Sequence, residues 1–294
     1  MSAQAFPVAV IGVGNMGAAM AQNLLAQGWV VHVHDIVPER HEALVGAGAR
    51  AHATAAEAAT QAGTTVIAVV SAEQAHAVLF GTGEVARTVR LGHTVLLCPT
   101  MAPQAVEHIA AQLYPLGVFC VDAPMSGGPV RARAGSMSLM VACPEAVFVR
   151  QAPLLHALSS KVFRISERAG DGARTKLVNN LAAAINLAGA AEVLAMAQRM
   201  GLDGGKTLDV IEQSSGQSWI GSDRMRRALA QDYAPRAHMT LLEKDTRLAV
   251  QASLDAGFAG LLGSSVRDAF AAASASGLAE LDDSALLRWM AERH

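Results

Sequence analysis

Ten residues near the start, Val8-Ala9-Val10-Ile11-Gly12-Val13-Gly14-Asn15-Met16-Gly17, leave few choices of local structure: a short apolar strand must turn sharply on glycines and enter a helix. Gly12 permits the tight turn, Gly14 lets the backbone approach a bound group with no Cβ between, and Gly17 lets the helix lie close on the strand. The first N–H groups of a helix have no partners within it and favour an anion. The segment from Gly12 through Val13, Gly14, Asn15 and Met16 to Gly17 is therefore expected to cradle a dinucleotide pyrophosphate. The pattern alone is also that of a plain turn, and its context gives it meaning. The helix through Met20, Leu24 and Leu25 is expected to stop at Gly28, before a second apolar strand over 30–34 that ends in Asp35, 18 residues after Gly17. An acid there accepts from the adenosine ribose hydroxyls and repels a 2′-phosphate, so NAD is expected in preference to NADP.

With 294 residues, two domains of ordinary size are expected. A formal charge of −2 and only 16% charged residues favour neither nucleic acid nor an anionic membrane, so the expected partner is a small molecule. The opening Met-Ser-Ala-Gln-Ala-Phe-Pro runs directly into the first strand, and the expectation is a cytoplasmic enzyme with no signal or transit peptide. Cys98, Cys120 and Cys143 lack CxxC spacing and lie in apolar surroundings, which reads as buried reduced thiols rather than a disulfide or metal set. The ten histidines are scattered; His32 and His34 share a strand face, but no carboxylate pattern joins them, and no metal is expected.

Residues 1–165 alternate strand-like and helix-like runs. Apolar stretches over 66–70, 94–98 and 118–122 are expected to be strands covered on both faces, with helices over 55–62 and 103–113 between. This predicts an α/β doubly wound parallel sheet of the Rossmann type. Beyond about 165 the strand signal stops. One helix is predicted over 172–201, then others over 204–214, 219–230, 239–256 and 259–276, and a last one after Asp283 as N-cap. The second domain, 166–294, is thus expected to be all-α and built on the long helix. Asn179, Asn180, Asn186 and Glu192 interrupt that helix, which argues against a membrane span. Ala184, Ala188, Ala191 and Ala195 recur at helical spacing and would admit close neighbours in a bundle or subunit interface, so a homodimer or homotetramer is expected.

Three segments carry candidate chemistry. Asp122-Ala123-Pro124-Met125-Ser126-Gly127-Gly128-Pro129 follows a strand's carboxyl end, where N–H groups at Ser126, Gly127 and Gly128 and the Ser126 hydroxyl could hold a carboxylate; a simple β-turn is the other reading. Lys176 falls one turn into the long helix, four residues before Asn180, so the two share a face. A desolvated lysine there could exchange a proton with a substrate hydroxyl, while residue type alone equally fits a lysine snorkelling from a buried helix. Lys244, beside Glu243 and Asp245, fits a solvated face. The polar linker over 214–218, ending at Trp219, is either a helix–helix turn or one wall of a site.

Taken together, these segments resemble the β-hydroxyacid dehydrogenase family, which includes 3-hydroxyisobutyrate dehydrogenase, tartronate semialdehyde reductase and, more distantly, 6-phosphogluconate dehydrogenase. Four motifs fall in the family's order over nearly the whole chain: Gly12 to Gly17, Asp122 to Gly128, Gly172 through Lys176 to Asn180, and Lys244-Asp245. The resemblance implies an NAD(P)-dependent oxidoreductase acting on a small hydroxyacid, with Lys176 catalytic and Asn180 orienting it or the substrate. It implies that Ser126, Gly127 and Gly128 hold the substrate carboxylate, with Asn179 and Trp219 also on the substrate side. Thr100 and Lys244 match positions near the cofactor. Val70 and Ser71 stand in the loop near the nicotinamide, where the family often has Met-Leu-Pro, and the family's proline before the penultimate helix is absent over 260–263. The stretch over 216–225, with Asp232-Tyr233 after it, looks most like the L-threonate dehydrogenase subgroup. Two other readings are a catalytically inactive dinucleotide-binding sensor, expected to have lost the lysine, and an imine reductase, in which that lysine is usually replaced.

Overall fold

Apolar residues of the first half pair into one sheet. The computed structural model describes residues 6–293; residues 1–5, on which the expectation about a leader partly falls, and residue 294 lie outside the described part. The chain divides into two compact units, Met1–Lys176 and Leu177–His294.

Among the described residues the first unit carries strands β1 (Val8–Ile11), β2 (Val31–His34), β3 (Arg50–Ala51), β4 (Thr64–Ile67), β5 (Thr94–Leu97), β6 (Phe119–Asp122), β7 (Met125–Ser126), β8 (Ser138–Ala142) and β9 (Lys161–Ser166). Its helices are α1 (Asn15–Ala26), α2 (Glu42–Gly46), α3 (Ala55–Thr60), α4 (Ala72–Phe80), α5 (Val85–Thr88), α6 (Pro103–Leu113), α7 (Gly128–Arg133) and α8 (Glu145–Leu158), followed by the start of α9 (Asp171–Arg199). The sheet order is β3-β2-β1-β4-β5-β6, all parallel, continued by β8, which runs antiparallel to both β6 and β7, and by β9 parallel to β8. Side chains alternate across it. Val8 and Val10 join the core beneath α1 and α8, whereas Ala9 and Ile11 join the opposite core with Val106 and Ile109 of α6. Fully burying such a valine or isoleucine is worth about 1.5–3 kcal/mol, and helices on both faces are what a parallel sheet needs.

The structure corrects two expectations here. The strand expected over 66–70 is Thr64–Ile67, because Thr64 and Thr65 find buried partners: Thr64 Oγ1 donates to Gln151 Oε1 at 3.1 Å, and Thr65 Oγ1 lies 2.9 Å from His93 Nε2. The sheet is parallel-dominated rather than wholly parallel, since after β7 and α7 the chain returns as β8, antiparallel to β6 and β7.

The second unit is all-helical. It holds the rest of α9, then α10 (Gly204–Glu212), α11 (Trp219–Leu229), α12 (Met239–Asp255), α13 (Leu261–Ala273) and α14 (Leu286–Glu292). By length and composition α9 is apolar enough to cross a membrane. Its Ala184, Leu187, Ala191 and Leu194 nevertheless pack into the helical core with Met225, Phe270 and Leu286. The helix expected over 259–276 stops at Ala273, and Gly277, at φ +94°, breaks the turn that follows. The cap expected at Asp283 is Asp282, which accepts from the Ser284 N–H at 3.0 Å and pairs with Arg227 at 2.9 Å. Asp283 instead turns inward to the Arg224 guanidinium.

Candidate active site

Because β1, β2, β4, β5 and β6 run parallel, the segments that follow them emerge along one sheet edge. That edge gathers Gly12–Gly17 after β1, Asp35 after β2, Val70 and Ser71 after β4, and Thr100 after β5. Strand order reverses between β1 and β4, the place where open α/β sheets bind ligands.

The glycine turn fits a pyrophosphate. Gly12 takes φ +88°, and its N–H donates to the His34 carbonyl at 2.9 Å. Gly17 lies so close beneath that a Cβ on it would sit 1.9 Å from the Gly12 carbonyl oxygen. Gly14 is the N-cap of α1, and no side chain caps the helix. The turn is open at that point, the nearest atom to a Cβ on Gly14 being an Arg40 guanidinium nitrogen at 3.9 Å. An open helix start with no side-chain cap is what an anionic group would complete.

Asp35 is buried and tied into the loop: Oδ2 accepts from the Val13 N–H at 2.8 Å and Oδ1 from the Val37 N–H at 2.9 Å. Its own N–H donates to His41 Nε2 at 2.7 Å. Arg40, invisible to the sequence argument, reaches the same carboxylate at 3.2 Å. The acid that was expected to repel a 2′-phosphate thus stands beside a half-exposed cation.

Elsewhere the predicted residues take more ordinary local roles. Ser71 is the N-cap of α4 and accepts from the Gln74 N–H at 3.3 Å, while the Gln74 side chain accepts from the Val70 N–H at 2.9 Å. Ser126 is not part of a free loop: it ends β7 and pairs with Ser138 of β8. Gly127 and Gly128 follow at φ +131° and +72° and lead into α7, with Gly128 exposed.

The helix α9 begins in the first unit. Its Ala173 belongs to that unit's core, and Lys176, one turn on, is buried with 7% of its surface exposed. Asn180 lies a further turn along, in the second unit, and its Nδ2 donates to Asp245 Oδ2 on α12 at 2.6 Å. Asn179 donates to Asn180 Oδ1 at 3.0 Å, and Lys244 Nζ lies 3.1 Å from the other Asp245 oxygen. Asn180 and Lys244 therefore meet on one buried carboxylate and Asn179 reaches it only through Asn180, whereas Trp219 is half-exposed at the start of α11, whose N-cap is Ser218. The Lys244-Asp245 motif in the sequence assigns Asp245 no role of its own. The signal was available, since it shares the buried face of α12 with Leu242, Thr246 and Ala249, where an acid needs a partner.

Sheet, switch point and glycine turn define a dinucleotide-binding protein. The sequence pattern of the NAD-binding domain of 6-phosphogluconate dehydrogenase matches residues 7–166, and that of the NAD-binding region of NADP-dependent 3-hydroxyisobutyrate dehydrogenase matches residues 170–290. The L-threonate dehydrogenase of Haemophilus influenzae is 35% identical over 98% of this chain and 96% of its own. That of Cupriavidus necator is 33% identical over 96% and 95%. The crystal structure of 3-hydroxyisobutyrate dehydrogenase from Salmonella typhimurium superposes with a TM-score of 0.91 at 35% identity, covering 97% of this chain and 99% of that one. The chain belongs to the β-hydroxyacid dehydrogenase family, and it is a nicotinamide-dependent hydroxyacid dehydrogenase.

Proposed function

We propose that this enzyme interconverts a small hydroxyacid and its oxo or semialdehyde form, with L-threonate as the first candidate and Lys176 as general acid/base. The observation that carries the reading is Lys176 itself, buried near the start of α9 and one turn from an asparagine anchored on a buried carboxylate. L-threonate dehydrogenases among the relatives, and the stretch over 216–225, support the choice of substrate. When bound, the dinucleotide supplies the hydride acceptor. Lys176 takes the hydroxyl proton as hydride leaves the substrate carbon, and returns it in reduction. Asn180 commits one amide proton to Asp245 and offers the second to the substrate oxygen, fixing distance and angle. In this reading Ser126, Gly127 and Gly128 hold the substrate carboxylate, Asn179 and Trp219 border the substrate, and Val70, Ser71, Thr100 and Lys244 border the cofactor. Residues 1–165 form the NAD-binding domain, and 166–294 a helical domain for substrate and assembly into a cytoplasmic homodimer or homotetramer.

The test is NADH formation with L-threonate, 3-hydroxyisobutyrate and glycerate, run in parallel with NAD and NADP. L-Threonate with NAD is expected to give the highest kcat/KM, and absence of turnover with every acid would sink the proposal. Asp35 is assigned the preference for NAD. Asp35→Ala removes the ribose acceptor and leaves Arg40 facing that position, so the NAD/NADP ratio of kcat/KM is expected to fall about tenfold or more, the scale of one hydrogen bond to a charged group. An unchanged ratio would remove Asp35 from that role.

A further inference from the structure

We infer that Asp122 is a positioning residue for the reaction, acting by fixing the first turn of α9 and with it Lys176. Asp122 is the last residue of β6 and is 1% exposed. Its Oδ2 accepts from the Gly170 N–H at 2.9 Å and the Ala173 N–H at 3.0 Å, the latter in the first turn of α9. Between these two donors, Gly172 packs directly on the carboxylate. A Cβ there would sit 2.9 Å from Asp122 Cγ and 2.7 Å from the Met140 carbonyl oxygen. Strand and helix therefore meet with no slack at a residue four positions, one turn, before Lys176.

The outer side of the same turn is held separately. Asp171 accepts from Ser166 at 2.7 Å and pairs with Arg168 at 2.8 Å and Arg174 at 3.0 Å, while Arg174 reaches Glu107 of α6 at 2.6 Å. Arg168 foremost, with Ser166 and Arg174, holds the Asp171 carboxyl down at about 2.

A neutral side chain could cap this helix without the cost of burying a charge, which amounts to several kcal/mol for an ion poorly compensated by its surroundings. The buried acid is therefore informative. Its N–H donors and the positive end of the α9 dipole stabilise the anion. Burial works the other way and prevails, pushing the Asp122 carboxyl up to about 6 despite the N–H groups of Ala173, Gly170 and Gly172, with the Asp171 charge adding to the rise. The other titratable groups facing it are the thiols of Cys98, Cys120 and Cys143, all driven upward by burial and neutral at physiological pH. Asp122 is thus an anion above about pH 6 and a weaker acceptor below it.

This inference rests on the assignment of Lys176 as acid/base, and the experiment separates the two. Asp122→Asn, Lys176→Ala and the double variant are compared with wild type for kcat with L-threonate and NAD, NADH affinity by fluorescence, and thermal midpoint. Misplacing a reacting group by about 1 Å costs about 10²-fold, so Asp122→Asn is expected to lower kcat on that scale with NADH affinity unchanged. It should add nothing in the Lys176→Ala background. The wild-type to Asp122→Asn ratio of kcat is expected to shrink toward one as pH falls below about 6. Wild-type kcat in Asp122→Asn, or an equal loss with and without Lys176, overturns the inference. Near-normal kcat in Lys176→Ala overturns the underlying assignment instead. If Asp122→Asn does not fold, Gly172→Ala presses on the same contact from the helix side and must show the same kcat loss, absent in the Lys176→Ala background; an additive loss there overturns the proposal.

Discussion

Lys176→Ala is expected to bind NADH as wild type does and to lose kcat by about 10²–10⁴-fold, the usual contribution of a positioned general acid/base. The residues proposed to hold the cofactor's pyrophosphate and ribose, Gly12–Gly17 and Asp35, are built by β1, β2 and the loops after them, and none depends on the lysine. The loss should therefore fall on the chemical step. Truncation also removes a long side chain that is 7% exposed, so the thermal midpoint must be followed alongside. Lys176→Met keeps most of that volume and should be equally inactive. Near-normal turnover in either variant would take the proton transfer away from Lys176 and leave the buried lysine as a packing residue.

The largest effect on the fold itself is expected at Gly17. A Cβ would stand 1.9 Å from the Gly12 carbonyl oxygen and 3.2 Å from Ala68 Cβ, and the first of these is backbone that cannot rotate aside. Helix α1 would have to lift off β1, disturbing Met20 and Leu24, both fully buried. Overpacking commonly costs about 1–3 kcal/mol and sometimes more; against a rigid carbonyl the upper end, about 3 kcal/mol, is expected from chemical denaturation, together with weakened NADH binding. Gly14→Ala is the control, since its nearest neighbour lies 3.9 Å away: stability should hold while cofactor binding weakens. Equal stability for Gly17→Ala and wild type would mean that helix and strand are not in the close contact described.

How far the structure could be read beforehand follows from where each residue finds its partners. The run from β1 to Asp35 was legible because glycine spacing, apolar strands and the closing acid are all local. The long helix α9 was equally plain, within two residues at either end. The start of β4 was not, because Thr64 and Thr65 look like loop residues until Gln151 and His93, distant in sequence, are placed beside them. β8 was hidden in a segment whose antiparallel return depends on β6 and β7. Asp122 and Asp245 show the same limit at the candidate site. Each was quoted within a motif, yet its role lies in hydrogen bonds spanning 48 and 65 residues. Spacing along the chain reveals which residue types are present; which carboxylate holds which backbone or amide depends on the fold.

The two ends of the sheet bear on whether it can grow by pairing with another chain. An open strand edge is a template on which another chain can pair, and aggregation commonly begins there. At one end stands β3, only Arg50–Ala51, too short to seed a ladder. At the other, β9 exposes Phe163 at 52% and Ile165 at 36%, an inviting apolar strip, but Lys161 and the Arg164 ion pairs with Glu145 and Glu167 interleave with them and put charge along that edge. Growth of the sheet by strand addition is thereby disfavoured at both ends.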